Sequence, residues 1–396
     1  MKWWILGLLA LAEFLAMSVW FTGNAVSAEL QGVWDLSFGQ VGWLTTAVQL
    51  GFVAGTATVA LLNLADLVSS RFLFAGSSVI AAGFNFALLG AGGFFPALLT
   101  RFFTGFFLAG VYPPAMKMIA TWFREARGFA IGTVVGALTV GKAAPYVFKA
   151  VPALSLSGVV GGASLGGLVG AGLVFLFYRE GPHPFRRAGF SWSLAASVVK
   201  HRETRLAVLG YLGHMWELYA MWTWIPVFLF ESYSASGLPD AGTRASVAAF
   251  AVIGAGIVGC VLAGYLADRF GRTTVTIWSM VISGTCCLLA GPLFGGNVPL
   301  LTLVTLVWGI TVVADSAQFS AAVTELTDPK YIGTTLTVQT CLGFLLTIVS
   351  IRLIPAAAGL LTWRWAFALL AIGPVFGVWS MYRLKRSPFA AKLGGE

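Results

Sequence analysis

The stretch LAGYLADRFGRTTV, residues 262–275, follows an apolar run centred near Gly254, and a looser copy, ALLNLADLVSSRFLF at 60–74, follows a run centred near Gly51. Asp66 and Asp268 are offset by 202 residues, and the same offset carries Glu13 onto Met215, between His214 and Glu217. One unit is therefore repeated in the same order. Each copy holds six apolar runs, so both enter the membrane from the same side, as parallel repeats about an axis along the membrane normal.

The composition requires a membrane. Of 396 residues, 58% are hydrophobic and 10% are charged, whereas about a quarter of an ordinary soluble chain is charged. Runs of roughly 20 apolar residues, enough to cross about 30 Å of hydrocarbon, number about twelve, centred near Ala12, Gly51, Ala82, Phe106, Gly136, Gly166, Met215, Gly254, Val281, Val312, Gly343 and Leu370. The 48 glycines and 15 prolines fit such helices, where neighbours satisfy freed backbone groups. The expected fold is an all-α integral membrane protein: a six-helix bundle over 1–178, a cytoplasmic linker over 179–204, a second bundle over 205–386 and a tail over 387–396. The apolar start, MKWWILGLLALAEF, runs past Glu13 to about Gly23 and reads as a retained first span rather than a cleaved signal.

The net charge of +9 sits in short clusters between the runs, which argues for orientation rather than nucleic-acid binding. Lys2, Arg71, Arg124, Arg127, the linker, Arg269, Arg272 and the tail YRLKRSPFAAK fall on one side, leaving chiefly Lys149, Arg244, Arg352 and Arg364 on the other. Both termini are expected in the cytoplasm, with the chain in the inner membrane as a monomer among lipids. Cys260, Cys286, Cys287 and Cys341 lie in apolar runs without metal-ligand spacing and read as packing residues. No metal, cofactor or nucleic-acid partner is indicated. An enzyme would need a reactive constellation, and no HExxH or GxSxG occurs; a channel would want rings of like charge or a filter loop.

GYLADRFGRT, Gly264 to Thr273, resembles the signature loop between the second and third helices of each half in the major facilitator superfamily. The first copy departs from that pattern at Leu62, Leu67 and Ser69 and keeps Asp66 and Arg71. RFFTGFFLAG, Arg101 to Gly110, is similar to the family's fourth-helix pattern. The resemblance covers the whole chain and implies a solute carrier that exposes one central site alternately to the two sides. It places a gate at Asp66, Arg71, Gly264, Asp268, Arg269, Gly271 and Arg272. Asp268 can meet the N-terminus of a neighbouring helix, and the arginines can bridge to carboxylates. The fifth span lacks the adjacent Gly-Pro of the superfamily's drug antiporters, and there is some resemblance to the cyanate and small organic anion branch.

Charges inside the spans carry the functional reading. At about 1.5 Å per residue, Glu13 lies about 16 Å beyond Lys2, His214 and Glu217 about 14 and 18 Å beyond Arg205, and Asp315 about 15 Å from Glu325, all near the midplane. Facing lipid, each permanent charge costs about 2.5 to 3.5 kcal/mol; Glu13, Arg101, Lys142, Glu217 and Asp315 are therefore expected around a shared polar cavity. His214 and Glu217, at i and i+3, share a helix face and could exchange a proton, with Glu13 and Asp315 as further proton-coupling candidates. The alternative is permanent pairing of Glu217 with Arg101 or Lys142. Those two cations could form a positive locus for an oxyanion, giving a proton-coupled carrier of a small organic or inorganic anion. If instead they neutralise the carboxylates, the cavity suits neutral or cationic compounds, as in an efflux antiporter. Trp20, Asn24, Tyr112, Trp216, Tyr219, Trp222, Gln318 and Gln339 could supply stacking faces or hydrogen bonds. Pro113 and Pro114 should bend the fourth span.

Overall fold

The computed structural model describes residues 1–123, 126–151, 153–183, 201–327 and 332–393, with the side chains of 38, 65, 66, 127, 391 and 392 left out. Arg124, most of the expected linker (184–200) and the Asp66 side chain thus lie outside the described residues. The first half is helical throughout: α1 (Lys2–Met17), α2 (Thr22–Ala25), α3 (Ser27–Trp34), α4 (Phe38–Leu61), α5 (Leu64–Leu67), α6 (Ser70–Ala87), α7 (Phe94–Leu108), α8 (Tyr112–Ala120), α9 (Arg127–Lys149) and α10 (Leu156–Phe177). The second half holds α11 (Arg202–Ala235), α12 (Ala241–Gly254), α13 (Gly256–Phe270), α14 (Arg272–Leu293), α15 (Val298–Ala314), α16 (Ser316–Leu326), α17 (Ile332–Ala366) and α18 (Ile372–Lys385).

Among the described residues, nine helical runs are long and apolar enough to cross a membrane. The difference from the expected twelve has local causes. The first helix stops after 16 residues, at Met17. In α11, 34 residues long, apolar positions are mixed with Arg202, Glu203, Arg205, His214, Glu217 and Glu231. The run 332–385 counts once, although α17 is interrupted at Thr362 (φ 64°, ψ 163°).

Several helices are broken near the middle of the bundle. The α-helical run is interrupted between α1 and α2 at 18–21 and, for the single residue Asp315, whose backbone stays right-handed, between α15 and α16. The expected bend at Pro113 and Pro114 is a break between α7 and α8: the prolines fall in the first turn of α8, where their missing N–H groups would have had no helical partner.

The halves meet chiefly along three helix pairs, α9 with α12, α9 with α13, and α4 with α17. On α9 a glycine recurs every fourth residue. A Cβ at Gly128 would lie 3.3 Å from the Gly264 carbonyl oxygen, one at Gly132 2.7 Å from that of Cys260, and one at Gly136 2.6 Å from the Ile257 side chain. The two backbones therefore touch with the chains running oppositely, an approach open only to residues without bulk. Across α4 and α17, Phe52 and Phe344 have ring centroids 4.6 Å apart, and the Arg352 guanidinium lies 4.6 Å over Trp43.

Candidate functional site

Lys142, on α9, is 2% exposed and reaches the centre of the molecule. Its ammonium donates a 2.5 Å hydrogen bond to Tyr219 Oη and lies 3.8 Å from the Trp20 ring centroid, 4.7 Å from that of Tyr219 and 5.4 Å from that of Trp222. Trp20 and Lys142 come from the first half, Tyr219 and Trp222 from the second, so the cage exists only where the halves meet. A desolvated ammonium over an aromatic face gains about 2 kcal/mol, which offsets part of the cost of burying it there. Phe52 and Phe344 pack behind the cage, each against Trp20.

Glu13, on α1, is fully buried, and neither carboxyl oxygen has a hydrogen-bond partner among the described residues. It acts electrostatically on Lys142 and on half-buried Tyr112 without forming an ion pair. Other buried polar atoms also lack partners: Nε1 of Trp20 and of Trp222, the Tyr146 hydroxyl, Oε1 of Gln339, and both amide atoms of Gln49. Buried polar atoms are almost always bonded, and these lie on or beside α1, α4, α9, α11 and α17.

The structure does not place all the buried charges around one cavity. Arg101 donates to Asn85 Oδ1 (2.8 Å), to the Val19 carbonyl (3.1 Å) and to the Trp20 carbonyl. Those two carbonyls are freed by the break between α1 and α2. Asn85 is held in turn by Ser164 (2.9 Å). Arg101 thus ties the broken first helix to Asn85.

His214 and Glu217 also separate, despite sharing one helix face. His214 Nδ1 lies 2.8 Å from Asp315 Oδ1, an ion-pair approach outside directed hydrogen-bond geometry, and both side chains are nearly sealed. Glu217 points elsewhere: it accepts from Trp308 Nε1 (2.6 Å), Ser283 Oγ (2.9 Å) and Cys287 Sγ (3.1 Å). Pairing with Arg101 or Lys142 is not formed either. Cys287, expected to serve packing, is a donor here.

At the loop, Gly264 abuts the Gly128 backbone, and the Asp268 carboxylate lies over Gly128, 3.2 Å from where a Cβ would be, beside the first turn of α9. Gly271 sits at φ 79°, a conformation that favours glycine. Arg272 donates through Nε to both oxygens of Glu325 (2.7 and 2.8 Å) and through Nη1 to Gln318 Oε1 (2.9 Å). Among the described residues Arg269 bridges to no carboxylate and lies 4.5 Å over the Tyr265 ring. Arg71 stacks between Phe72 and Phe175, at 5.4 and 5.2 Å.

Of the remaining candidates, Tyr219, Trp20 and Trp222 form the cage, Gln339 is buried, Tyr112 is half-buried in the first turn of α8, and Asn24 accepts from Thr45 (2.8 Å). Gln318 is taken by Arg272. Trp216 turns away, donating to the Leu369 carbonyl (3.3 Å) and packing against Gly373. The sequence reading missed Asn85, Ser283, Trp308, Gln49, Phe52 and Phe344. A polar residue inside an apolar run was signal enough for Asn85 and Gln49; the others read as ordinary helix content.

The sequence profile described as Major Facilitator Superfamily matches residues 8–262 and 246–396. The MFS-type transporter pytF of Aspergillus terreus (strain NIH 2624 / FGSC A1156) is 27% identical over 176 residues, covering 42% of this chain and 55% of the fungal protein. The chain thus spans about half the length of that relative.

Proposed function

The chain belongs to the Major Facilitator Superfamily, which makes it a multi-pass membrane transporter of a small solute and not an enzyme, and from that premise we propose a twelve-span, proton-coupled carrier of a small organic or inorganic anion, working by alternating access about Lys142. The observation that carries this reading is the caged ammonium at the meeting of the halves, set near a carboxylate that no donor satisfies. With Arg101 held on backbone carbonyls, Lys142 is the cation placed to receive an anion.

Charge balance supplies the coupling. Lys142 and Glu13 together are neutral. An anion bound at Lys142 leaves one excess negative charge in a dry site, where an unpaired ion costs about several kcal/mol, and a proton taken by Glu13 removes it. Anion and proton then enter together, as symport. Lys2, Arg71, Arg269, Arg272 and Lys385 support placing both termini in the cytoplasm, and the repeated loop at Asp66 and Asp268 supports two six-helix repeats.

The cage itself favours a second reading. Aromatic faces that hold an ammonium of the protein can hold one of a solute, in which case Lys142 occupies the site until a cation displaces it. Uptake and thermal-shift screens of anions, cations and neutral compounds with wild type and Lys142→Ala separate the two. Loss of an anion response on substitution supports the anion carrier; tighter cation binding supports the antiporter.

A further inference from the structure

On the membrane-facing surface of the second half, α13, α14 and α15 leave an open groove of about 430 Å³. Its floor is made of Gly259, Ala263 and Ala314, and its walls include exposed Leu266, Trp278 and Ile282. Gly259 is required there, because a Cβ would collide with the Ile310 carbonyl. The wall threonines are engaged: Thr311 donates to the Val307 carbonyl (2.9 Å), and Thr274 accepts from Lys385 Nζ (2.9 Å). From Gly259 to Phe270 the groove runs about 16 Å along α13, half of a hydrocarbon core about 30 Å thick. It is one leaflet long, apolar along its length, and closed by a lysine at the end where Asp268 lies.

We propose that this groove binds one acyl chain of an anionic phospholipid, whose headgroup pairs with Lys385. The length selects a lipid chain rather than a compact solute, and the terminal ammonium selects a negative headgroup. Arg269, beside Phe270 in the chain, adds charge at the same level. The neighbouring face of α13 carries the contacts of Cys260 and Gly264 with Gly132 and Gly128 of α9, so an occupied groove backs the joint between the halves. The proposal depends on the membrane placement of these helices and not on what is carried.

Native mass spectrometry of the full-length protein titrated with dioleoyl phosphatidylglycerol or dioleoyl phosphatidylcholine tests it. Wild type retains one phosphatidylglycerol at concentrations about fivefold below those needed for phosphatidylcholine. Lys385→Gln removes that preference, and Ile282→Trp, which fills the groove from an exposed position, weakens both lipids. Equal retention of the two lipids by wild type overturns the proposal. So does a preference that survives Lys385→Gln, which removes the headgroup contact, or retention unchanged by Ile282→Trp, which removes the chain site.

Discussion

Lys142 and Tyr219 join the two halves of the molecule through a 2.5 Å hydrogen bond from ammonium to phenol. A hydrogen bond to a charged group contributes about 1.5 to 3 kcal/mol. Because the bond spans the boundary, it holds the halves together at the depth of the candidate site.

Tyr219→Phe keeps the ring over the ammonium and removes the acceptor. The arrangement with the halves joined at this depth should lose about tenfold to a hundredfold in population relative to arrangements in which they part. Spin-label distances across α9 and α13 measure this; an unchanged distribution counts against a joining role for the pair.

Arg101→Ala leaves the Val19 and Trp20 carbonyls and Asn85 Oδ1 without their donor. Each buried unmet group costs about 1 to 3 kcal/mol, so thermal unfolding in detergent should fall markedly. Arg101→Lys should recover part of the loss. Wild-type stability together with altered anion selectivity would return Arg101 to the substrate.

Glu217→Gln retains an acceptor for Trp308 and Cys287, and the Ser283 hydroxyl can turn to accept from the new amide. Folding and the pH dependence of transport should survive. Glu13→Gln, which removes the carboxylate that the charge balance needs to take the proton, should flatten that pH dependence. If Glu217→Gln flattens it instead, the titrating group has been misassigned.

Asp268→Asn removes a negative charge from the first turn of α9, an interaction of about 0.3 to 1 kcal/mol. Transport should fall while insertion into the membrane persists. Gly132→Leu, forced against the Cys260 carbonyl, should be more severe. Unchanged transport rates in both variants would remove the gate.

The sequence made some of this legible and hid the rest for identifiable reasons. Depth arithmetic put Glu13, His214, Glu217 and Asp315 near the midplane, and all four are buried, at 1% exposure or less. The loop motif led to Asp268 beside a helix N-terminus and to Arg272 on a carboxylate. The contacts of Arg101 were hidden because two of its three partners are backbone carbonyls exposed by a helix break, which no side-chain pattern encodes. His214 and Glu217 diverge because helix spacing fixes a face but not the neighbours on either side of it: Asp315 draws one, while Trp308 and Ser283 draw the other. The cage escaped because Trp20 lies in the break between α1 and α2, Lys142 on α9, and Tyr219 and Trp222 on α11, segments far apart in the chain.

The most direct test uses proteoliposomes in weakly buffered medium with a pH dye, given a panel of monocarboxylates, nitrate and cyanate. The account predicts that an accepted anion enters wild-type vesicles with external alkalinisation, that Glu13→Gln exchanges the anion without moving protons, and that Lys142→Ala does neither. Anion uptake at the wild-type rate by Lys142→Ala, or proton movement unaltered in Glu13→Gln, would contradict it.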